Sequence, residues 1–217
     1  MIDLSRDGSV WVLRLTTGEN RFSLDLLAAI EDALDEVAGS DGPCALVTTG
    51  DGKFYSNGLD LDWLLTAGEQ GAGYMPAVYR LIGRVMSFPA ITVAAVNGHA
   101  FGAGALLATA HDFAVMRADR GYWCMPEADL GLPLSPQLLS VLTAKLPRRT
   151  VQEAVLTGRR FGGQDALAAG IVHRTAADDE VLAEAVKLAA GLAGKDRVTL
   201  AEHKRLLYGE ETRLLLG

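Results

Sequence analysis

The stretch that most constrains the fold is residues 97–134, NGHAFGAGALLATAHDFAVMRADRGYWCMPEADLGLPL. It is entered from Ile91–Val96, a continuous apolar run of strand length, the pattern of a strand covered on both faces. The chain turns at Asn97-Gly98, and Ala100-Phe101-Gly102-Ala103-Gly104-Ala105 then opens a helix of small residues that is followed by a short strand. Next comes one carboxylate, Glu127, on a loop between Pro126 and the Leu130-Gly131-Leu132-Pro133 turn. A second glycine loop, Phe54-Tyr55-Ser56-Asn57-Gly58-Leu59-Asp60, lies earlier in the chain.

The segments around this centre follow the same grammar. Val10–Leu15 alternates around Trp11 as a strand does, and Thr17-Gly18-Glu19-Asn20 supplies a turn. Ser23 is placed to cap a helix whose apolar face is Leu26, Leu27, Ile30, Leu34 and Val37, ended by Gly39. Residues 45–49 read as a strand, residues 68–73 as a mobile glycine loop, and Tyr74–Met86 as an amphipathic helix stopped by Pro89. Ser135-Pro136 opens another helix, and Gly158 and Gly170 close two more. Residues 171–172 are a short apolar segment, and stretches 180–192 and 199–208 are amphipathic, so the chain beyond Leu134 reads as helices alone. The first part, a strand and helix alternation, predicts a parallel sheet with right-handed crossovers.

A chain of 217 residues fits one domain, since single cores reach ~200 to 250 residues. Its net charge of −7 argues against a nucleic-acid partner, which needs a clustered basic surface. The basic groups that do gather, among them Lys195, Arg197, Lys204 and Arg205, read singly as solvated helix ends and together as able to meet a phosphorylated cofactor. Cys44 and Cys124 form no CxxC pair and no histidine spacing suits a metal, so buried inert thiols and no metal are expected. The N-terminal residues carry neither a signal-peptide pattern nor a spanning run, and no peroxisomal tripeptide closes the sequence, so no membrane association and a cytoplasmic location are expected.

The chemistry suggested is carbonyl chemistry. Glycine and alanine let a backbone approach a ligand closely, and a helix N-terminus presents unpaired N–H groups to developing negative charge. Either glycine loop alone is also an ordinary turn; two together offer the two donors that an enolate oxygen needs. In apolar surroundings the Glu127 pKa is expected to rise, which suits a proton shuttle. Asp112, Asp129, His99 and His111 are weaker acid or base candidates, each more readily read as a packing or surface residue.

The segments FYSNGLDL, AAVNGHAFGAGALLA and HDFAVMRADRGYWCMPEADLGLPL, in this order and at these separations, resemble the crotonase superfamily of enoyl-CoA hydratases and isomerases, and most closely its Δ3,Δ2-enoyl-CoA isomerase branch. The resemblance implies an α/β fold, a spiral of ββα turns with a C-terminal helical region. It divides the chain into a core over residues 1–172 and a helical tail over 173–217 of the same domain, which oligomerises and covers the pocket. It implies a homotrimer or a dimer of trimers. The substrate would be an acyl-CoA thioester lying across both glycine loops, so coenzyme A belongs to the substrate and no separate cofactor is required.

Carried onto this chain, the oxyanion donors are the N–H groups of Leu59 and Ala103, and the acid is Glu127. Ser56, Asn57, Gly58, Gly102, Gly104 and Leu106 would line the substrate, with the adenine end against backbone near Ser56 and Asn57. The family's hydratases carry a second glutamate where this chain has Leu106. Hydration calls for two groups handling water and proton, whereas moving a double bond needs one base. Leu106 therefore favours an isomerase of 3-enoyl-CoA. Hydration, thioester hydrolysis or decarboxylation on the same fold, and a non-catalytic acyl-CoA-binding or interaction protein, are the alternatives. The tail after Val172 is short for the family.

Overall fold

The computed structural model describes residues 1–217, the side chains of Gln70 and Asp178 excepted. Strands β1 (Ile2–Asp7) and β2 (Val10–Leu15) form an antiparallel hairpin through Gly8, whose φ is +59°. β3 (Arg21–Phe22) leads to Ser23, whose side chain accepts the Leu26 N–H and caps helix α1 (Leu24–Gly39) as the sequence predicts.

Three similar turns of chain follow. In the first, β4 (Ala45–Gly50) is succeeded by the short strands β5 (Phe54–Ser56) and β6 (Gly58–Leu59), then by α2 (Leu61–Thr66) and α3 (Tyr74–Met86). The second runs through β7 (Ile91–Val96), β8 (His99–Phe101) and α4 (Ala103–Ala110), and the third through β9 (Phe113–Arg117), β10 (Trp123–Cys124) and α5 (Glu127–Leu130). The long strands join a six-stranded sheet in the order β1-β2-β4-β7-β9-β11, where β11 is Arg174–Ala176, parallel throughout except for β1. The short ones form a parallel three-stranded sheet, β10-β8-β5, and a parallel pair, β3-β6. This is the ββα spiral of the crotonase fold.

Successive turns stack through their corners. A Cβ on Gly98, between β7 and β8, would lie 2.1 Å from the Lys53 carbonyl oxygen, and one on Gly121, between β9 and β10, 2.7 Å from the Gly98 carbonyl carbon. Only glycine permits that approach, far inside van der Waals contact.

The six-stranded sheet is apolar on both faces. Leu13, Leu15, Leu46, Val96 and Met116 point into the larger core with α1, α3 and α4, and all eight residues of α4 are buried there. Val10, Val12, Val47, Val93 and Val115 face α9 (Val181–Leu192), which presents Val181, Ala185 and Ala189 at a spacing of one helical turn. Helices α6 (Pro136–Lys145), α7 (Arg148–Thr157) and α8 (Gly163–Ala168) follow α5, and α10 (Arg197–Leu216) lies along α3 and α6.

The structure corrects three expectations. The chain beyond Leu134 is not helices alone, because Arg174–Ala176 adds the edge strand to the main sheet; with only Ala176 buried it lacks the apolar run that marks interior strands. The glycine segment Gly68–Gly73 is a 3₁₀ helix leading into α3 rather than an open loop. Finally, Lys204 is not a solvated helix end: its ammonium group is buried and donates to the Phe88 and Ala90 carbonyls and to Asp112, while Arg197 donates to the Ala38, Ser40 and Pro89 carbonyls.

Candidate active site

The two glycine loops interlock backbone to backbone. A Cβ on Gly58 would fall 2.6 Å from the Phe101 carbonyl oxygen and 2.9 Å from the Ala103 nitrogen; one on Gly104 would fall 2.3 Å from the Ser56 carbonyl oxygen. Each loop therefore needs its own glycine to admit the other's main chain. Gly58 and Gly102 also hold φ values of +79° and +52°, a region costly for L side chains. Ala103 is the first residue of α4, so its N–H has no acceptor within its helix, and it lies beside the loop that carries Leu59.

Ser56 is fully buried. Its hydroxyl donates to the Asn20 carbonyl at 2.7 Å and accepts the Gly58 N–H at 3.1 Å, so that side chain shapes the loop. Asn57 binds Glu19 through both its side chain and its N–H. Leu106 is fully buried one turn into α4, in the larger core cluster.

Glu127 begins the single turn of α5, closed by Gly131 in the left-handed conformation, whose N–H returns to the Glu127 carbonyl. Gly102 meets it across the site: a Cβ there would lie 3.2 Å from Glu127 Oε1. The other oxygen, Oε2, is buried and has no hydrogen-bond partner among the described residues. Burial raises the Glu127 pKa above the ordinary carboxylate range, opposed in part by the residue's own N–H. An acid held this way is a stronger base once ionised, and it stands beside a helix N-terminus that favours negative charge.

The weaker candidates lie apart from this constellation. His99 stacks among Phe54, Phe101 and Tyr122, with ring centroids 5.1 to 5.5 Å away. Burial, and then the nearby Lys53, Arg120 and Arg160, lower its pKa. Asp112 is bound by Thr92 and Lys204, and Asp129 is exposed with its carboxylate against Gly158. His111 is buried and donates Nδ1–H to the Leu107 carbonyl, so Nε2 accepts from the Thr48 hydroxyl at 2.9 Å.

Sequence reasoning missed Asn20 as more than a turn residue. It is fully buried at φ +51°, its amide donates to the Phe54 and Tyr55 carbonyls, and its oxygen accepts the Thr17 N–H, so it clamps the first glycine loop from beneath. The available signal was an asparagine closing a glycine turn, the residue type besides glycine that best tolerates a left-handed backbone.

Residues 5–212 match the profile of the enoyl-CoA hydratase/isomerase family. Among known proteins, the chain is 36% identical over 206 residues to the peroxisomal enoyl-CoA delta isomerase 2 of Arabidopsis thaliana, covering 90% of this chain and 86% of that protein. It is 34% identical over 226 residues to enoyl-CoA delta isomerase 3 of the same plant, covering 99% and 95%. A probable enoyl-CoA hydratase from Mycobacterium tuberculosis superposes with a TM-score of 0.91 at 28% identity, over 99% of this chain and 91% of that one. The interlocked glycine loops and the buried acid are thus found in a chain that belongs to the enoyl-CoA hydratase/isomerase family.

Proposed function

We propose that the protein is a Δ3,Δ2-enoyl-CoA isomerase in which Glu127 alone shuttles the proton. The observation that carries this reading is the buried, unpartnered Oε2 of Glu127 beside the interlocked loops, with an apolar Leu106 where a second acid would be needed for hydration. The relatives named as enoyl-CoA delta isomerases support it.

The Glu127 carboxylate takes a proton from C2 of a 3-enoyl-CoA. The electron pair left behind forms the C1–C2 double bond and puts negative charge on the thioester oxygen, which the N–H groups of Leu59 and Ala103 receive. The carboxylic acid then returns its proton at C4. The C3–C4 π pair takes that proton, the C1–C2 pair becomes the C2–C3 double bond as the thioester carbonyl re-forms, and the carboxylate is regenerated with no net gain or loss of protons. An oxyanion donor in such a site is worth about 3 kcal/mol of barrier. Substrate contacts are assigned to the backbone of Ser56, Asn57, Gly58, Gly102 and Gly104 and to the side chain of Leu106, and coenzyme A enters as part of the substrate.

The test is direct. Purified protein mixed with a 3-enoyl-CoA should generate the ultraviolet absorbance of the conjugated thioester. Absence of that signal, with brisk hydration of a 2-enoyl-CoA, would make the protein a hydratase.

A further inference from the structure

Tyr74 opens α3, yet it is fully buried, its ring packed at a tilt of 51° against Trp63 of α2 with 5.3 Å between centroids. Its hydroxyl is wedged into the first glycine loop, where it donates to the Phe22 carbonyl at 2.6 Å and accepts the Asp60 N–H at 2.8 Å. Phe22 is the residue paired with Leu59 in the β3–β6 ladder, and Asp60 follows Leu59 and caps α2 through the Trp63 N–H. One hydroxyl therefore ties the residue opposite Leu59 to the residue after it. Burial pushes the hydroxyl pKa up to about 12, against the Asp60 N–H, so the group stays protonated and its donor and acceptor roles are fixed.

Nothing in the proton shuttle uses Tyr74. A peptide N–H, however, turns with two backbone torsions, and Gly58 at φ +79° supplies no side chain to restrain the peptide that joins it to Leu59. Restraint has to come from the neighbours. Asn20 holds the loop at Phe54 and Tyr55, upstream of the glycine, and Tyr74 is the matching restraint downstream.

We propose that Tyr74 is a positioning residue whose hydroxyl, bridging the Phe22 carbonyl and the Asp60 N–H, aims the Leu59 N–H at the thioester oxygen as that oxygen gains charge. This rests on the isomerase reading above and deepens it. A misaimed donor still binds ground-state substrate, so the loss should fall on kcat rather than KM.

The experiment compares Tyr74→Phe, which keeps the ring and its contact with Trp63 but removes the hydroxyl, with Trp63→Phe, which trims that contact and leaves the hydroxyl. Both are assayed for turnover of a 3-enoyl-CoA, for Tm, and for the red shift of bound cinnamoyl-CoA, whose absorption moves as its carbonyl is polarised. Tyr74→Phe is expected to lower kcat about tenfold with KM changed less than about twofold, and to reduce the red shift. Trp63→Phe, at a similar loss of Tm, should keep both readouts within about twofold of the parent protein. A Tyr74→Phe protein with the parent's kcat and red shift overturns the proposal, and so does a Trp63→Phe protein that loses as much of both. If the parent protein itself neither turns over the substrate nor shifts the spectrum, the isomerase reading fails, and the role of Tyr74 fails with it.

Discussion

At the N-terminal end of α4 the half-buried Glu127 keeps Oε2 out of water with no hydrogen-bond partner among the described residues, and the first helical N–H has no acceptor in its own helix. At the C-terminal end, at His111 and Asp112, the same kinds of group have partners within the protein. Asp112 Oδ2 accepts the Thr92 N–H, the Thr92 hydroxyl and the Lys204 ammonium, and the Lys145 ammonium donates to the His111 carbonyl. Both ends bury charge. Leaving a buried polar group unmatched costs roughly 1 to 3 kcal/mol, more when it is charged, and of the two ends of α4 it is the one at Glu127, where a ligand can supply the missing partner, that carries this cost. Satisfaction of polar groups, rather than burial, separates the candidate active end from the structural one.

The strongest way to break this comparison is to remove charge at each end in turn. Glu127→Gln keeps the shape and deletes the base, so turnover of a 3-enoyl-CoA should fall by about a thousandfold, within the range for a lost general base, while the protein stays folded. At the other end, Lys204→Met strands the Asp112 carboxylate and two carbonyls in a pocket where the ammonium side chain is only 5% exposed. Breaking such a buried pair costs roughly 3 to 5 kcal/mol, read as a lower urea midpoint, whereas kcat of the molecules that remain folded should be nearly unchanged. A large loss of kcat in Lys204→Met, or of stability in Glu127→Gln, would erase the distinction between the two ends.

The candidate active end was far more legible in the sequence than the structural end. Glycines at 58 and 104 are forced by backbone contact and Gly102 by its φ of +52°, and a requirement for no side chain at all is visible as a residue type. The Ile91–Val96 strand and the Ser23 cap were readable for the same reason, since periodicity and caps are local. Lys204 was not readable, because a lysine on a helix looks solvated until a partner more than ninety positions away in the chain is known to meet it. The roles of Tyr74 and Asn20 were hidden likewise, in hydrogen bonds that cross 14 to 52 residues and leave no period. β11 escaped because its place in the sheet comes from ladder bonds to β9 rather than from apolar side chains of its own.

A smaller effect sharpens the comparison inside α4 itself. Leu106 lies one turn from the helix start and is fully buried, within the core rather than at its polar edge. Leu106→Glu should lower isomerisation and introduce measurable hydration of a 2-enoyl-CoA, because a second carboxylate can organise the water that leucine excludes. Burial of the new acid should cost about 1 to 3 kcal/mol of stability. Full isomerase activity with no hydration would mean that this position points away from the substrate, and the assignment of Ala103 would fall with it.

The smallest effect is in pH, where the two ends of α4 should have opposite signs. His111 has its pKa lowered to about 4, chiefly by burial, so its neutral form is favoured in the folded protein. Stability from that preference is complete above the unfolded histidine value and is lost as the pH falls toward about 4. Glu127 is the reverse case: burial raises its pKa, so the folded state favours the protonated acid. Its contribution is complete below the ordinary glutamate value and is lost as the pH rises through the raised one. Glu127→Gln should therefore raise Tm slightly at neutral pH, with the gain vanishing under acid. The acid limb of kcat/KM, which needs the ionised base, should fall with an apparent pKa above that of an ordinary glutamate. A variant with no Tm gain at neutral pH, together with an activity limb at the ordinary value, would show Glu127 to be well solvated. The contrast between an unmatched acid at one end of α4 and a matched one at the other would then lose its physical basis.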